Sequence, residues 1–214
     1  MHRATIRILG IIALLSVAST SGCSQTQNQP ATRVFRKPVP ASLQADIESH
    51  LQKLVRARPL SSGEQSEVSS AVEALNLKYP AMADRPRQTI QRFDAACIPV
   101  IAPLLLSPDA VTRQKGVTAL GYLVRPRERI TNDYAATEAA LMVLFRRSQL
   151  DNDAKVRLMA TGSLWSIGAA RFPNVPNEVK EALEDAASDP DQQVRDKAIR
   201  GQRLLRLTPV DSQP

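Results

Sequence analysis

The second half of the chain repeats one short pattern three times. The pattern aligns on three anchors, Asp109, Asp153 and Asp191, which are 44 and 38 residues apart. The same residue types recur at fixed distances from each anchor. A Ser or Asp lies two residues before it, an Arg lies four residues after it, small residues lie seven and ten residues after it, and an apolar residue lies fourteen residues after it. These positions are Ser107, Asp151, Asp189; Arg113, Arg157, Arg195; Gly116, Ala160, Ala198; Ala119, Ser163, Gly201; and Leu123, Ile167, Leu205. Such agreement predicts a stack of similar structural units.

Each anchor lies between two segments with the apolar spacing of a helix. The segment before each anchor has apolar residues on one side: Cys97, Ile101, Leu105; Leu141, Phe145; and Val179, Leu183, Ala187. After each anchor, the small and apolar positions share one side of a second helix, where small residues permit close packing. Ser107, Asp151 and Asp189 are expected to cap this second helix, with Pro108 and Pro190 at its first position. Each unit is therefore predicted to be helix, short turn, helix. Aromatic residues make up only 4% of the chain and sustained strand-like alternation is absent, so the predicted fold class is all-α.

Two segments carry a family resemblance. The run Asp-Pro-Asp-Gln-Gln-Val-Arg-Asp-Lys-Ala at residues 189–198 resembles the second helix of HEAT repeats of the phycobilisome-lyase-like type. Ser-Pro-Asp-Ala-Val-Thr-Arg at 107–113, followed by Ala-Leu-Gly-Tyr-Leu at 119–123, is similar to the same helix. The resemblance implies a HEAT-like α-solenoid of antiparallel helix pairs, with three repeats over residues 95–207. The family consists mainly of scaffolds and adaptors, so it implies protein binding rather than catalysis.

Residues 1–22 are predicted to be a cleaved lipoprotein signal peptide. Basic residues precede an apolar run from Ile8 to about Ala18, which is roughly half the length that a bilayer-spanning helix needs. Small residues directly before Cys23 resemble the lipobox of bacterial lipoproteins, in which the cysteine is diacylated and becomes the first mature residue. Thr20 departs from the usual Leu, which leaves ordinary cleavage and release of the protein as an alternative. Ser24 after the cysteine implies, by the same resemblance, the outer membrane if the host is Gram-negative.

The remaining segments complete the predicted organisation. Residues 23–41 are polar and contain prolines, which predicts a disordered tether. Residues 42–94 are predicted to form N-terminal helices, two of them on either side of the break at residues 61–63 and a shorter one over residues 86–93. Residues 208–214 are expected to be a disordered tail. No further membrane segment is expected downstream of the signal peptide.

Candidate chemistry is sparse. The Asp-x-Asp pairs lack the remaining ligands of a calcium loop, so helix capping is the preferred interpretation. The recurring arginines are expected to contact acids in neighbouring turns rather than bind external anions. Cys97 aligns with buried positions of the first helices and is expected to be an inert core residue. His50 has no partner set for a zinc site or a catalytic triad. We therefore expect no enzyme activity, no cofactor and no metal.

One helix surface differs from its counterparts in the other repeats. At about 100° per residue, offsets five, nine, twelve and sixteen from each anchor point away from the packed side. In the middle repeat this ridge reads Leu158, Gly162, Trp165, Ala169 instead of polar residues. In HEAT arrays the second helices line the concave surface, where Trp and Arg are typical of binding hot spots. The predicted partner-binding residues are Leu158, Trp165, Arg200, Arg203 and Arg125. The open alternative is that Trp165 is covered by the chain itself.

The predicted function is a lipid-anchored scaffold of the bacterial cell envelope that binds another envelope protein. The alternative is a basic surface that contacts anionic envelope polymer or lipid head groups. Its residues are Arg33, Arg36, Lys37, Arg56, Arg58, Arg125, Arg127, Arg129, Arg146 and Arg147. Removing residues 1–22 takes away two of the 28 basic residues and none of the 21 acidic ones, so the net charge falls from +7 to +5. Export to the envelope argues against a nucleic-acid partner.

Overall fold

The computed structural model describes residues 34–77, 84–131 and 134–206, and it is all-α as predicted. The signal peptide, Cys23, most of the predicted tether and the tail over residues 208–214 lie outside the described residues. The α-helices are α1 Ala41–Ala57, α2 Ser62–Glu73, α3 Asp84–Phe93, α4 Ile98–Ile101, α5 Ala110–Gly121, α6 Tyr134–Ser148, α7 Ala154–Arg171, α8 Asn177–Ala187 and α9 Gln192–Leu204. Short 3₁₀ segments cover Asp94–Cys97, Ala102–Leu106 and Arg127–Arg129.

The N-terminal helices follow the predicted apolar spacing. In α1 the residues Ile47 and Leu54 are buried, and in α2 Val68 and Val72 are buried. Helix α2 begins with a capping box, in which the Ser61 hydroxyl accepts the Glu64 amide while the Glu64 carboxylate accepts the Ser61 amide. This reciprocal cap explains why the helix begins directly after residue 61.

The first helix of the first repeat is broken into short pieces. The stretch from Asp94 to Leu106 passes through a 3₁₀ turn, α4 and a second 3₁₀ segment. Pro99 and Pro103 lie within it, and proline lacks the amide that a continuous helix requires and clashes with the carbonyl four residues earlier. This departs from the expected single helix, although Cys97, Ile101 and Leu105 still face the core.

The other two repeats are helix pairs, α6 with α7 and α8 with α9, as the pattern predicts. The residues that cap the second helices differ from the prediction. The N-caps of α5, α7 and α9 are the anchors Asp109, Asp153 and Asp191, whose carboxylates accept amides of the first turn. Pro108 and Pro190 therefore precede the caps instead of occupying the first helical position.

The predicted tether extends too far toward the folded region. Residues 34–36 pair with the turn between α6 and α7, where the Arg36 amide donates to Leu150 O at 2.7 Å and the Asn152 amide donates to Val34 O at 3.0 Å. Phe35 forms an antiparallel bridge with Asp151. The Phe35 ring lies 5.2 Å from the guanidinium of buried Arg147, and burial lowers the pKa of Arg147 to about 10. The last residues before α1 are thus part of the folded body.

The stretch Asp84–Leu106 is long and apolar enough to cross a membrane by length and composition alone. This departs from the expectation of no downstream candidate, but it is weak evidence for a span. Ile90, Ile98 and Ile101 are fully buried within the helical fold, so packing against the other helices accounts for their apolar character.

Candidate protein-binding groove

Two buried arginine–aspartate pairs join consecutive repeats. Arg113 on α5 donates to Asp151 through Nε at 2.7 Å and Nη2 at 2.9 Å. Arg157 on α7 repeats this geometry with Asp189, at 2.8 Å and 2.9 Å. All four side chains are at most 4% exposed. Each arginine therefore clamps the turn of the next helix pair in a bidentate, charge-assisted contact.

The third guanidinium nitrogen, Nη1, of each arginine donates to carbonyls of the turn directly before its own helix. Arg113 Nη1 donates to Ser107 O at 2.8 Å and Pro108 O at 3.0 Å. Arg157 Nη1 donates to the carbonyls of Asp151 and Asn152 at 2.9 Å and 3.1 Å. The prediction that the recurring arginines contact acids in neighbouring turns is confirmed for these two.

The carboxylates two residues before the anchors thus have a double role. Asp151 and Asp189 each accept the amide of the anchor that follows, at 2.8 Å and 2.9 Å, while receiving the arginine of the preceding repeat. Burial alone raises the pKa of Asp189, but the Arg157 and Asp191 hydrogen bonds and the charges of Arg157 and Arg36 hold it below its usual value. Asp189 is therefore ionised at neutral pH, and both carboxylates join their own turn to the preceding repeat.

Small residues let the helices approach closely, as the recurring pattern predicts. Ala160 and Ala198 are fully buried. A Cβ at Gly116 would lie 3.0 Å from Leu105 Cδ2, and one at Gly168 would lie 2.7 Å from Leu205 Cδ1. The second helices α5, α7 and α9 pack side by side in chain order, where a Cβ at Gly121 would lie 3.3 Å from Ser163 Oγ and one at Gly201 would lie 3.3 Å from Trp165 Cγ.

These three helices line an open groove of about 750 Å³. Helix α7 forms its middle, with Leu158, Met159 and Trp165 among the lining residues. The segment that includes and follows α5 contributes Val117, Thr118, Gly121, Tyr122 and Val124, and α9 contributes Gln193, Asp196, Lys197 and Arg200. The surface is mainly apolar toward α5 and α7 and charged toward α9.

Trp165 is less accessible than the sequence interpretation expects. Its ring is half-buried and packs against α9, where a Cβ at Gly201 would lie 3.3 Å from Trp165 Cγ. Its indole Nε1 is buried and has no acceptor among the described residues. Trp165 thus lies between the two alternatives, because α9 covers part of the ring while the rest borders the groove.

Lys197 extends across the groove from α9 to α7. Its Nζ lies 4.9 Å from the centre of the Trp165 ring, a cation–π geometry. Its Cε would lie 3.1 Å from a Cβ at Gly162, so the absence of a side chain there leaves room for the lysine. The offset analysis missed Lys197 because it sits six residues after its anchor, outside the outward set.

The structure brings three of the five predicted binding residues together. Leu158, Trp165 and Arg200 line the groove, whereas Arg203 and Arg125 do not. Arg203 is exposed on α9 beyond the lining. Arg125 forms an ion pair with Asp94 and stacks 4.9 Å from the Tyr134 ring, because the chain leaves the helix after Gly121 and turns toward α3. The prediction placed Arg125 on the outward ridge by continuing the helix to sixteen residues after the anchor, but the helix ends at Gly121.

Six of the ten basic residues of the alternative hypothesis are engaged within the fold, and Arg33 lies outside the described residues. Ion pairs join Arg36 to Asp189, Arg58 to Glu64, Arg125 to Asp94 and Arg146 to Glu181. Arg147 is buried, and Arg127 donates to Phe172 O at 3.0 Å. These contacts reduce the positive charge that is free to meet a polyanion.

Cys97 is a buried free thiol, which confirms its placement in the core. Burial, with a smaller contribution from Asp94, raises the pKa of Cys97 to about 12. The thiolate is the reactive form, so this residue is chemically inert in the folded protein. Within the described ranges, no cluster of His, Cys, Asp and Glu side chains has the arrangement of a metal site.

Comparison of the chain with protein-family models, curated proteins and solved structures finds no match in any of the three.

Proposed function

We propose that this chain is a lipid-anchored scaffold of the bacterial envelope, built from HEAT-like helix pairs, that binds a segment of another envelope protein in the groove. The observation that carries the proposal is the groove lining itself. An apolar middle that includes Trp165 and Met159 lies beside the α9 wall. On that wall Lys197 and Arg200 form no ion pair with the described residues, although Asp196 also contributes to the lining.

The chemistry of this surface specifies the segment that fits it. An apolar side chain suits the α7 side, and an acidic side chain beside it suits Lys197 and Arg200. Helical segments commonly bind such grooves through residues spaced along one face. The proposed occupant is therefore an amphipathic segment with an acidic margin.

A site-specific cross-link tests this assignment. A photoreactive amino acid at Ser166, which is exposed in the groove lining, should give an adduct with one major protein in the envelope of the native host. The same amino acid at Glu184, exposed on α8 outside the lining, is the control and should not give that adduct.

Charge reversal supplies the matched pair. Arg200→Glu should reduce the adduct at least about tenfold, since placing like charges together costs several kcal/mol, whereas Arg203→Glu makes the same change outside the groove and should preserve it. The adduct should also persist at about 0.5 M salt, where exposed charge interactions are screened. Equal loss with both variants, or loss with salt alone, would instead favour the polyanion-binding alternative.

A further inference from the structure

The third repeat contains an arginine in the same setting as the two that clamp aspartates. Arg195 Nη1 donates to Asp189 O at 2.7 Å and Pro190 O at 2.8 Å. These contacts reproduce those of Arg113 and Arg157 with their own turns. The guanidinium is therefore held in the orientation that presents Nε and Nη2 to a following turn.

Unlike its counterparts, this presented edge has no carboxylate among the described residues. The Nε and Nη2 atoms of Arg113 and Arg157 each hold a buried aspartate, whereas no ion pair of Arg195 occurs in the described part of the chain. We call the Nε and Nη2 atoms of each arginine its fork. The forks of Arg113 and Arg157 each bind an aspartate carboxylate at two points, which shows the ligand that this geometry accepts.

The apolar surface beside Arg195 is partly exposed in the part of the chain that the structure describes. Eight residues after the anchor, Val117 and Thr161 are fully buried in the first two repeats. The equivalent Ile199 on α9 is only half-buried, and Leu204 farther along this helix is 56% exposed. Since Ile199 follows Arg195 by four residues, the two share a helix face.

We infer that Arg195 and Ile199 form a docking site for a partner polypeptide whose turn presents an aspartate carboxylate to the open fork. Neither residue is part of the groove lining, and the inference does not depend on the proposed function. A second copy of this chain is a poor occupant, because its first turn carries Ser107 where a carboxylate is required and Asp151 and Asp189 are already engaged.

A peptide titration of the full mature chain tests the fork directly. The probe is the capped peptide Ser-Asp-Pro-Asp-Gln-Gln-Val-Arg, copied from residues 188–195, and its match carries Asn in place of the first Asp. The Nε–H NMR signal of Arg195 should shift saturably, with the Asn peptide at least about tenfold weaker, a ratio that corresponds to about 1.4 kcal/mol. The signals of Arg113 and Arg157 should not move, because their forks are filled.

A lengthened chain provides a second test, which applies even if the eight-residue peptide is too short to bind. Replacing residues 207–214 with a copy of residues 169–206 places the duplicate of Asp189 32 residues after Arg195, the separation of Arg157 and Asp189. Arg195→Gln should then lower Tm by several degrees in the lengthened chain and hardly at all in the natural chain, with Arg203→Gln silent in both.

Three results would overturn the inference. One is the absence of any Arg195 response in both experiments. Another is equal binding of the Asp and Asn peptides. The third is an Arg195 signal that already matches that of Arg157 and changes when the chain is truncated after Arg206, because the fork would then be filled by the chain itself.

Discussion

At the scale of single residues, charge pairing decides how the repeats are held together. Asp189 illustrates this, since it is 3% exposed and bonds to Arg157 at two points. A buried pair is not necessarily better than an apolar contact, but removing one partner leaves the other charge buried and uncompensated. Loss of either partner of the pair is therefore expected to destabilise the contact between the two repeats.

Asp189→Asn should lower the free energy of unfolding by about 3 kcal/mol at pH 7. The pKa of Asp189 is lowered by folding, so its ionised form stabilises the protein above the unfolded-state pKa of about 4 and this contribution is lost as the pH falls through the folded-state value. Urea unfolding from pH 7 to pH 3 should thus show the variant and wild type converging. Asp185→Asn, at an exposed position of α8, is the control, and an undiminished difference at pH 3 would contradict the ionised pair.

At the scale of helices, the atoms that face a glycine decide what a larger side chain would cost at that position. Helix α7 contains Gly162 and Gly168, which have different neighbours. Gly168 faces Leu205 and Val179, both buried in the core, whereas Gly162 faces the mobile end of the Lys197 side chain. The same substitution should therefore have opposite effects at the two positions.

Gly168→Ala should destabilise the protein by about 1 to 3 kcal/mol, because the new methyl group would overpack a buried contact. Gly162→Ala should be neutral or stabilise by up to about 1 kcal/mol, since alanine favours helix and Lys197 can move aside. Thermal unfolding of the two variants measures the difference. If both variants lost the same stability, the close approach of α7 to Leu205 and Val179 would not be what sets the cost.

At the scale of the whole molecule, the folded body begins earlier than the tether prediction allows. Residues 34–36 pair with the turn at residues 150–152, and Arg36 lies 3.4 Å from Asp189. This segment binds the same turns that the arginine clamps join. The structure therefore contradicts the predicted tether at residues 34–36.

The proposed anchor depends on Cys23, and labelling tests it without reference to any partner. Radiolabelled palmitate supplied to the native host should enter the wild-type protein and not Cys23→Ser, because diacylation requires that thiol. Cys97→Ser is the matched control, as it changes the only other cysteine and should retain the label. Equal labelling of wild type and Cys23→Ser would remove the lipid anchor from the proposed function.

Most of the helices follow from the sequence alone, because helix formation depends on residues three or four positions apart. The apolar spacing predicted α1, α6 and α8, and the recurring small residues predicted the close contacts at Ala160 and Ala198. Cys97 was assigned to the core for the same reason. The N-cap residues were predicted two positions too early in the sequence. In an Asp-x-Asp pair either carboxylate can accept a helix amide, and the path of the backbone determines which one does.

The tertiary structure alone decided the features that depend on contacts between distant segments. Trp165 is half-buried because α9 brings Gly201 against it, 36 residues away along the chain, and helical periodicity carries no information about that distance. Arg125 leaves the groove because the chain turns after Gly121 and Asp94 neutralises its charge. The repeat predicted that each arginine meets an acid. Arg113 and Arg157 do so because the turn of the next helix pair packs against each of them, whereas Arg195 has no ion pair among the described residues.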